Sequence, residues 1–442
     1  MIRTIGIGNF EAFGEGGAEI DLGKISILAG RNNSGKSSFL EALLLIKQSV
    51  NHSTINYNEP DSIVDFGGFE GIVHRGDTDR NIWIKFTVDM EGEPNIDEII
   101  GSLSGLIDIG YSDVSKGLSY ELVIEKEDFV QTVSIGNKKV FEVNSRGEIL
   151  EPVKIKTLGT YSSQFKILSL AEEPEYHELE VIMALFKILR ENIEAFHYVS
   201  SDRGLFNWSD KIQEESFFKD YVGFQGEYSL LKLYELHRNS LREEEGVVKE
   251  MYDCIIEELS NFGLKELLSG MRLGSRLFAD YLDDTGYVAN LKQAGAGSRQ
   301  LLPLIVQLFC VKDSTIAIEE PEVSLHAEGQ KNVIFTFFKA AKELNNNIVF
   351  TTHSNIPILS IPLVIENHPL DFKDIKVFHF ERSEETDYEA LHSELELNEY
   401  GYLVKPIPSY FEVERSLFKK WAETLGDEDN LDLDENDLED ED

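Results

Sequence analysis

The sequence predicts an α/β fold: a mostly parallel sheet drawn from both ends of the chain, with an antiparallel β subdomain and an inserted helical lobe between. Three observations carry that expectation. A short apolar, β-branched run at 24–29 leads through a Gly-containing loop into a stretch of good helix formers at 37–49. After residue 290, strand-like and helix-like segments alternate again, which makes a parallel sheet covered on both faces. In the interval, residues 81–145 alternate apolar and polar with period two, whereas 177–196 and 227–262 repeat their apolar side chains three and four apart.

Residues 4–7 read as a first strand and 24–29 as a second, separated by a Gly-rich turn. The segments 81–88 (NIWIKFTV), 119–127 (SYELVIEKE) and 133–143 (VSIGNKKVFEV) read as antiparallel strands joined by short turns. The helices at 177–196 and 227–262 keep no heptad over the many turns that a long coiled-coil arm needs. A helix at 298–311, a strand at 315–319, a helix at 327–344 and a strand at 347–352 complete the pattern. The chain therefore divides into 1–175 (N-terminal head and β subdomain), 176–289 (helical lobe), 290–410 (C-terminal head), 411–426 (helix) and 427–442. That last segment holds eleven acidic side chains and reads as a solvated, disordered tail.

With 442 residues, 42% of them hydrophobic, the chain can bury a large core and is not a disordered polymer. Its net charge of −40 removes any global electrostatic reason to coat DNA or an anionic membrane, so direct nucleic-acid binding is doubtful. Cys254 and Cys310 lack metal-ligand or disulfide spacing, which fits a reducing compartment. No run of about 18 apolar residues and no signal-peptide block is present, so the protein reads as cytoplasmic and not membrane-bound.

The strongest motif is Gly30-Arg31-Asn32-Asn33-Ser34-Gly35-Lys36-Ser37, a full match to G-x-x-x-x-G-K-[ST] placed between a buried strand and a helix. Glycines let backbone N–H groups turn inward around phosphate oxygens, Lys36 neutralises phosphate charge, and the Ser37 hydroxyl can ligate Mg²⁺. Far along the chain, an apolar strand ends in Glu319-Glu320-Pro321-Glu322. Alone this is more often a solvated turn. Beside a phosphate loop, one carboxylate can serve the Mg²⁺ shell and the other the attacking water. A further strand ends in Thr352-His353-Ser354, whose imidazole can hydrogen-bond a γ-phosphate oxygen or that water. Gly295-Ala296-Gly297-Ser298-Arg299-Gln300 is a small-residue turn opening a helix, again a geometry suited to anions.

In this order, with Asn9-Phe10 ahead and Leu301-Leu302-Pro303, Leu325-His326 and Gln330 in between, the motifs resemble the ABC-type ATPase heads of the RecF/SMC/OLD kind. More narrowly they are similar to the prokaryotic stand-alone AAA-family ATPases that write them GxNxSGKSS, GxGxxQxLP, EEPExxLH and THS. The resemblance covers 1–90 and 290–365; His197 to Arg203 also resembles a strand-plus-Arg element of that family, and 401–411 a C-terminal extension. It implies a P-loop NTPase of ABC type that uses ATP and Mg²⁺. Gly30, Asn32, Asn33, Ser34, Gly35, Lys36, Ser37 and Ser38 would hold the nucleotide, Ser37 and Glu319 the metal. Glu320 would be the general base and His353 the switch residue, while Gly295, Gly297, Arg299 and Gln300 form the signature that reaches the γ-phosphate on an opposite protomer. The implied assembly is a homodimer or higher even-numbered oligomer. It would be an ATP-driven switch in antiphage defence or DNA maintenance, working with a separate effector of nuclease type, since the chain carries no nuclease motif of its own. A nucleotide-gated scaffold with little hydrolysis is the alternative. Arg299 replaces a common Ser and would act either as a charge-stabilising finger in trans or as a surface salt-bridge residue; Glu319 replaces a common Asp, and Ala327 a common Pro. The stretch 65–69 lies in the region where a Q-loop belongs.

Overall fold

Apolar runs near the N-terminus pair first with each other. β1 (Ile2–Gly8) and β2 (Ala18–Asp21) form a hairpin, and β3 (Ile25–Gly30) leads into α1 (Lys36–Ser49). There follow α2 (Phe69–Ile72), β4 (Ile82–Val88), α3 (Ile96–Ser104), α4 (Tyr111–Val114), β5 (Leu118–Ile124), β6 (Phe129–Ile135), β7 (Lys138–Asn144) and β8 (Ile149–Glu151). The middle of the chain contributes β9 (Phe165–Lys166), β10 (Ser169–Leu170), α5 (His177–Glu194), β11 (Phe196–Val199), α6 (Ser229–Ser240), α7 (Val247–Asn261), β12 (Lys265–Leu273), β13 (Arg276–Leu282) and β14 (Val288–Asn290). The remainder is α8 (Ala296–Phe309), β15 (Thr315–Ile318), α9 (Ala327–Glu343), β16 (Asn347–Thr352), α10 (Ile356–Leu359), α11 (Ile361–Asn367), β17 (Ile375–Arg382) and β18 (Ala390–Leu395). This computed structural model describes the chain except residues 51, 60–61, 91–92, 94–95, 105–108, 152–164, 171–176, 204–220, 243–245, 274–275, 284, 368–370, 383–387, 406, 408–415, 418 and 421–442. The acidic tail expected at 427–442 and most of the helix expected at 411–426 lie outside the described residues.

Two sheets organise the head. One is antiparallel, in the order β2-β1-β4-β5-β6-β7-β8; the other runs β11-β15-β16-β3-β17-β18 and is parallel except for its edge strand β18. The central strands read ISILAG, TIAI and NIVFTT and are buried along their whole length, as parallel strands covered on both faces must be. β3 separates two cores. Leu28 joins α1, α5 and the antiparallel sheet on one side, while Ile25, Ile27 and Ala29 join α6 to α9 on the other. The chain ends are tied here too. Ile2 N donates to Thr315 Oγ1 at 3.3 Å, and Asn347 Nδ2 donates to Ile2 O at 3.2 Å.

The structure departs from the sequence reading at several points. The single strand expected at 133–143 is two, β6 and β7, because Gly136 adopts φ 58 and closes a two-residue turn in which Ile135 pairs with Lys138. The expected helix at 227–262 is broken into α6 and α7, with Gly246 at the second N-cap. Not all of 176–289 sits in one helical lobe. α5 packs on the antiparallel sheet, where Phe186 meets Phe141 edge-on at 6.0 Å, and β11 is the edge strand of the parallel sheet. The lobe also contains the sheet β12-β13-β14, and β17 and β18 extend the main sheet beyond the last strand expected.

Behind the phosphate loop, Phe39 of α1 is fully buried against Phe13 (6.2 Å) and Phe380 (5.8 Å). Phe39→Ala should remove about 3–5 kcal/mol from the head. Thermal unfolding followed by circular dichroism should show a lower first transition, and an unchanged profile would contradict this packing.

Candidate functional site

β3 ends at Gly30, whose φ of 158 and position allow no side chain: a Cβ there would lie 2.3 Å from Phe380 O. Asn33 (φ 61) and Gly35 (φ 99) take left-handed conformations, so the loop curls and turns its N–H groups inward. The first turn of α1 has no side-chain cap and no acidic residue, which leaves its backbone donors available to an anion. Lys36 is buried at 5% exposure, and its Nζ donates to Gly30 O (2.9 Å), Arg31 O (2.8 Å) and Ser34 Oγ (3.4 Å). Asn32, Asn33 and Ser37 are exposed at the mouth of the loop, and the half-buried Ser38 hydrogen-bonds Glu11.

The carboxylates and the imidazole arrive on neighbouring parallel strands, Glu319 and Glu320 beyond β15 and His353 beyond β16. Glu319, beyond the end of β15, accepts at Oε2 from Ser201 N (3.1 Å) and Ser201 Oγ (3.4 Å). Glu320 is held in the left-handed region at φ 40, a conformation that costs a non-Gly residue about 1–3 kcal/mol and that its surroundings must impose. Its N–H is fixed by Thr351 O (3.2 Å) and Thr351 Oγ1 (3.1 Å), and its Oε1 lies 2.9 Å from His353 Nε2. The His353 hydrogen bond holds the Glu320 carboxyl below its usual range, with Lys36 and Arg203 adding to the effect against burial. Glu320 is therefore ionised at neutral pH, as an acceptor of a proton must be. Burial pulls the Lys36 ammonium down to about 8, opposed by Glu320, Glu322 and Glu319. Burial pushes Glu41, one turn further along α1, up to about 8, reinforced by Glu11 and Glu319.

Three residues not singled out for a role by sequence reasoning hold this arrangement. Glu322 Oε1 accepts from Thr352 Oγ1 (2.6 Å) and His353 N (2.9 Å), which fixes the backbone that carries the imidazole. Gln330 accepts from Ser354 Oγ at 2.7 Å. Arg203, fully buried, donates to Ser200 O (2.9 Å), Glu319 O (2.5 Å), Glu320 O (2.8 Å) and Gln300 O (3.3 Å). Its guanidinium is pulled to about 10 by burial, opposed by Glu322, Glu319 and Glu320. The sequence held a signal for Glu322, the last acid of Glu-Glu-Pro-Glu. Arg203 had only its place after a strand.

The turn 295–300 opens α8. Gly295 and Ala296 are exposed, and Gly297 has no room for a side chain because a Cβ would lie 2.7 Å from Ser324 O. Arg299 makes no ion pair or side-chain hydrogen bond among the described residues, and its Nε is buried without a partner, so nothing there corresponds to a surface salt bridge. Gln300 Oε1 is likewise buried and unpaired. The structure thus gathers Lys36, Glu319, Glu320 and His353 at the carboxyl ends of β3, β15 and β16. The turn 295–300 joins them through Arg203. Within 65–69, Phe66 packs on Phe10 with ring centroids 6.4 Å apart and donates its N–H to Tyr57 O at 2.9 Å, and Gly67 N donates to Asp65 Oδ1 at 2.9 Å.

Residues 1–358 match the AAA ATPase domain family. The chain belongs to that family. This AAA ATPase has an α/β fold in which β3, the Gly-containing loop and α1 form a strand–loop–helix unit that carries the phosphate-loop sequence. Solved structures similar to it include the SMC head domain from Thermotoga maritima, at 12% identity over 90% of this chain and 99% of that chain, with a TM-score of 0.38. The Smc head with an extended coiled coil bound to the C-terminal domain of ScpA, from Pyrococcus furiosus, matches at 12% identity over 95% and 99%, TM-score 0.41. A SmcHead bound to the C-winged helix domain of ScpA matches at 13% identity over 90% and 98%, TM-score 0.42. No curated protein matches the sequence. Among the described residues, no helix is long and apolar enough to cross a membrane.

The donor set fits a nucleoside triphosphate with a hard divalent cation: an uncapped helix start, a buried ammonium engaged with neutral oxygens, and carboxylate oxygens opposite. A bound triphosphate would draw the Lys36 pKa back up, so above about 8 binding must take up a proton. Ionisation of Glu41 over the same range acts in the same direction. Affinity for a fluorescent ATP analogue should therefore fall up to tenfold between pH 8 and pH 9, from a plateau below about 7, since each coupled proton gives a decade per unit. Glu41→Gln should make the fall shallower. Constant affinity across pH 7–9 would contradict the electrostatics described.

Proposed function

We propose that this AAA ATPase binds ATP with Mg²⁺ and hydrolyses it, and that two copies close on two nucleotides and open after hydrolysis. The observation that carries the reading is the Glu320–His353 pair, 2.9 Å apart at the ends of β15 and β16, together with the buried Lys36 of the phosphate loop. Lys36 and the 30–37 backbone hold the phosphates, Ser37 and Glu319 hold the metal, and Glu320 accepts the proton of the attacking water. His353 orients Glu320 through Nε2 and is itself placed by Glu322. Bound Mg²⁺ would supply charge neutralisation on the phosphate oxygens. Glu320 needs no prior deprotonation, because its carboxyl is already held below the usual range.

The dimeric reading is supported by the signature turn. Gly295 and Ala296 are exposed, and Arg299 has no partner within its own chain among the described residues. Facing a γ-phosphate on a second copy, Gly295, Gly297, Arg299 and Gln300 would offer backbone donors and one cation. The wording of the motifs favours a prokaryotic antiphage or DNA-maintenance setting in the cytoplasm, with a separate nuclease-type effector that reads the open and closed states. The net charge of −40 favours contact with nucleic acid through such a partner.

Glu320→Gln should lower turnover about 10²–10⁴-fold, the usual worth of a positioned base, while ATP still binds and the dimer accumulates. Lys36→Ala should lose nucleotide affinity as well. Steady-state phosphate release and size-exclusion light scattering with ATP measure both. A parent protein without turnover under any partner condition would leave only a nucleotide-gated scaffold.

A further inference from the structure

Two contacts join the signature turn to the catalytic strand ends, and neither involves a nucleotide. The first is Arg203. Its Nε donates to Gln300 O in the first turn of α8, its Nη1 to Ser200 O and Glu319 O, and its Nη2 to Glu320 O. One fully buried planar group thereby spans the ends of β11 and β15 and the start of α8. The second is a close approach of backbones: the missing side chain of Gly297 lets α8 sit against Ser324 O, in the turn that follows Glu320. That turn is itself constrained, with Glu320 at φ 40 and Ser324 at φ 64. Within α8, Pro303 has no N–H to give to the Arg299 carbonyl four residues back, so one helical hydrogen bond is missing there. The start of α8 is thus tied to the Glu320 backbone from outside its own helix.

We infer that Arg203 is a positioning residue that clasps the signature turn to the backbone of Glu320, so that whatever docks on residues 295–300 sets the aim of the Glu320 carboxylate. This rests on the ATPase reading above and adds a route by which engagement of the signature controls hydrolysis. Arg203 is fully buried and donates to main-chain oxygens, so it acts through the carbonyls at 319 and 320. A lysine in its place carries the charge but cannot reach acceptors on three elements in one plane.

The test compares the parent with Arg203→Lys and Arg203→Gln as full-length chains, checked for folding by circular dichroism. Affinity for a fluorescent ATP analogue should stay within threefold of the parent in both, while kcat falls at least tenfold. Amide exchange over 319–325 should quicken at least tenfold in both. A folded Arg203→Lys with kcat within twofold of the parent overturns the inference, and so does one whose affinity falls in step with kcat. Where Arg203→Lys does not fold, Arg203→Gln, which removes the buried charge together with the fork, decides alone by the same criteria. Exchange separates this inference from the function beneath it. A parent without turnover overturns the ATPase reading, and the clasp then stands if exchange over 319–325 quickens in the variants and falls if it does not.

Discussion

The structure depends on a buried guanidinium. Taking a full charge out of water costs on the order of several kcal/mol even after relaxation, and a protein recovers that only by surrounding the charge with well-placed partners. Arg203 has such a shell, built almost entirely from main chain. Ser200 O, Glu319 O and Glu320 O leave the carboxyl ends of parallel strands, where the ladder stops and carbonyls run out of partners, and Gln300 O lies in a helix turn weakened by a nearby proline. The arginine and the strand ends therefore need each other. Once the guanidinium is in place, the main chain at 319 and 320 has little freedom, and the left-handed backbone of Glu320 can persist because it is held from both sides.

This explains which parts of the site could be read from sequence. The phosphate loop is local: strand, glycines, lysine and helix all lie between Ile25 and Ser49, and the glycines are demanded by backbone positions that exclude a side chain, as Gly30 and Gly35 show. Glu319, Glu320 and His353 were legible because each ends an apolar run that can only be a buried strand. The clasp was not, because its acceptors are backbone carbonyls and a carbonyl has no letter. Glu322 stood in plain view, yet its role in fixing His353 N appears only when β15 and β16 are seen to be neighbours. The antiparallel sheet was legible in its alternation but not in its turns, since 133–143 reads as one strand until Gly136 is given its positive φ. The placement of α5 was hidden for another reason. Its apolar stripe predicts burial, but a stripe does not say against which sheet.

Charge presents a related problem. Eleven of the forty excess negative charges lie in 427–442, which leaves twenty-nine on the rest of the chain. A triphosphate must nevertheless be drawn to a place that already holds Glu319, Glu320 and Glu322. Two buried cations, Lys36 and Arg203, face those three carboxylates, and burial lowers the pKa of both while the carboxylates oppose the shift. Arg203, at about 10, remains charged throughout the physiological range, and Lys36, at about 8, is the cation with room to respond. The division of labour follows from their contacts. Arg203 is committed to carbonyls of the scaffold, while Lys36 is parked on oxygens of its own loop, which it can leave for a phosphate at little cost.

The same division bears on why one head would not act alone. All the groups that hold phosphates and move a proton in the proposed reaction belong to β3, α1, β15 and β16, and these are rigid, because the strands are buried on both faces. The turn at 295–300 differs in kind. Its outer residues are exposed, Arg299 has no partner within the chain among the described residues, and its helix lacks one hydrogen bond at Pro303. Buried strand ends joined by a buried arginine to an outward-facing turn are an arrangement in which the proposed chemistry could be held back without being dismantled. Engagement of the turn from outside need shift the Glu320 backbone only slightly, because a hydrogen bond of 2.9 Å to His353 weakens steeply once its geometry is lost. On the proposed dimeric reading, the base, its orienting imidazole and the phosphate lysine would all belong to one chain, and a second copy would add the signature turn, both as a contact to the γ-phosphate and as the contact that aims Glu320.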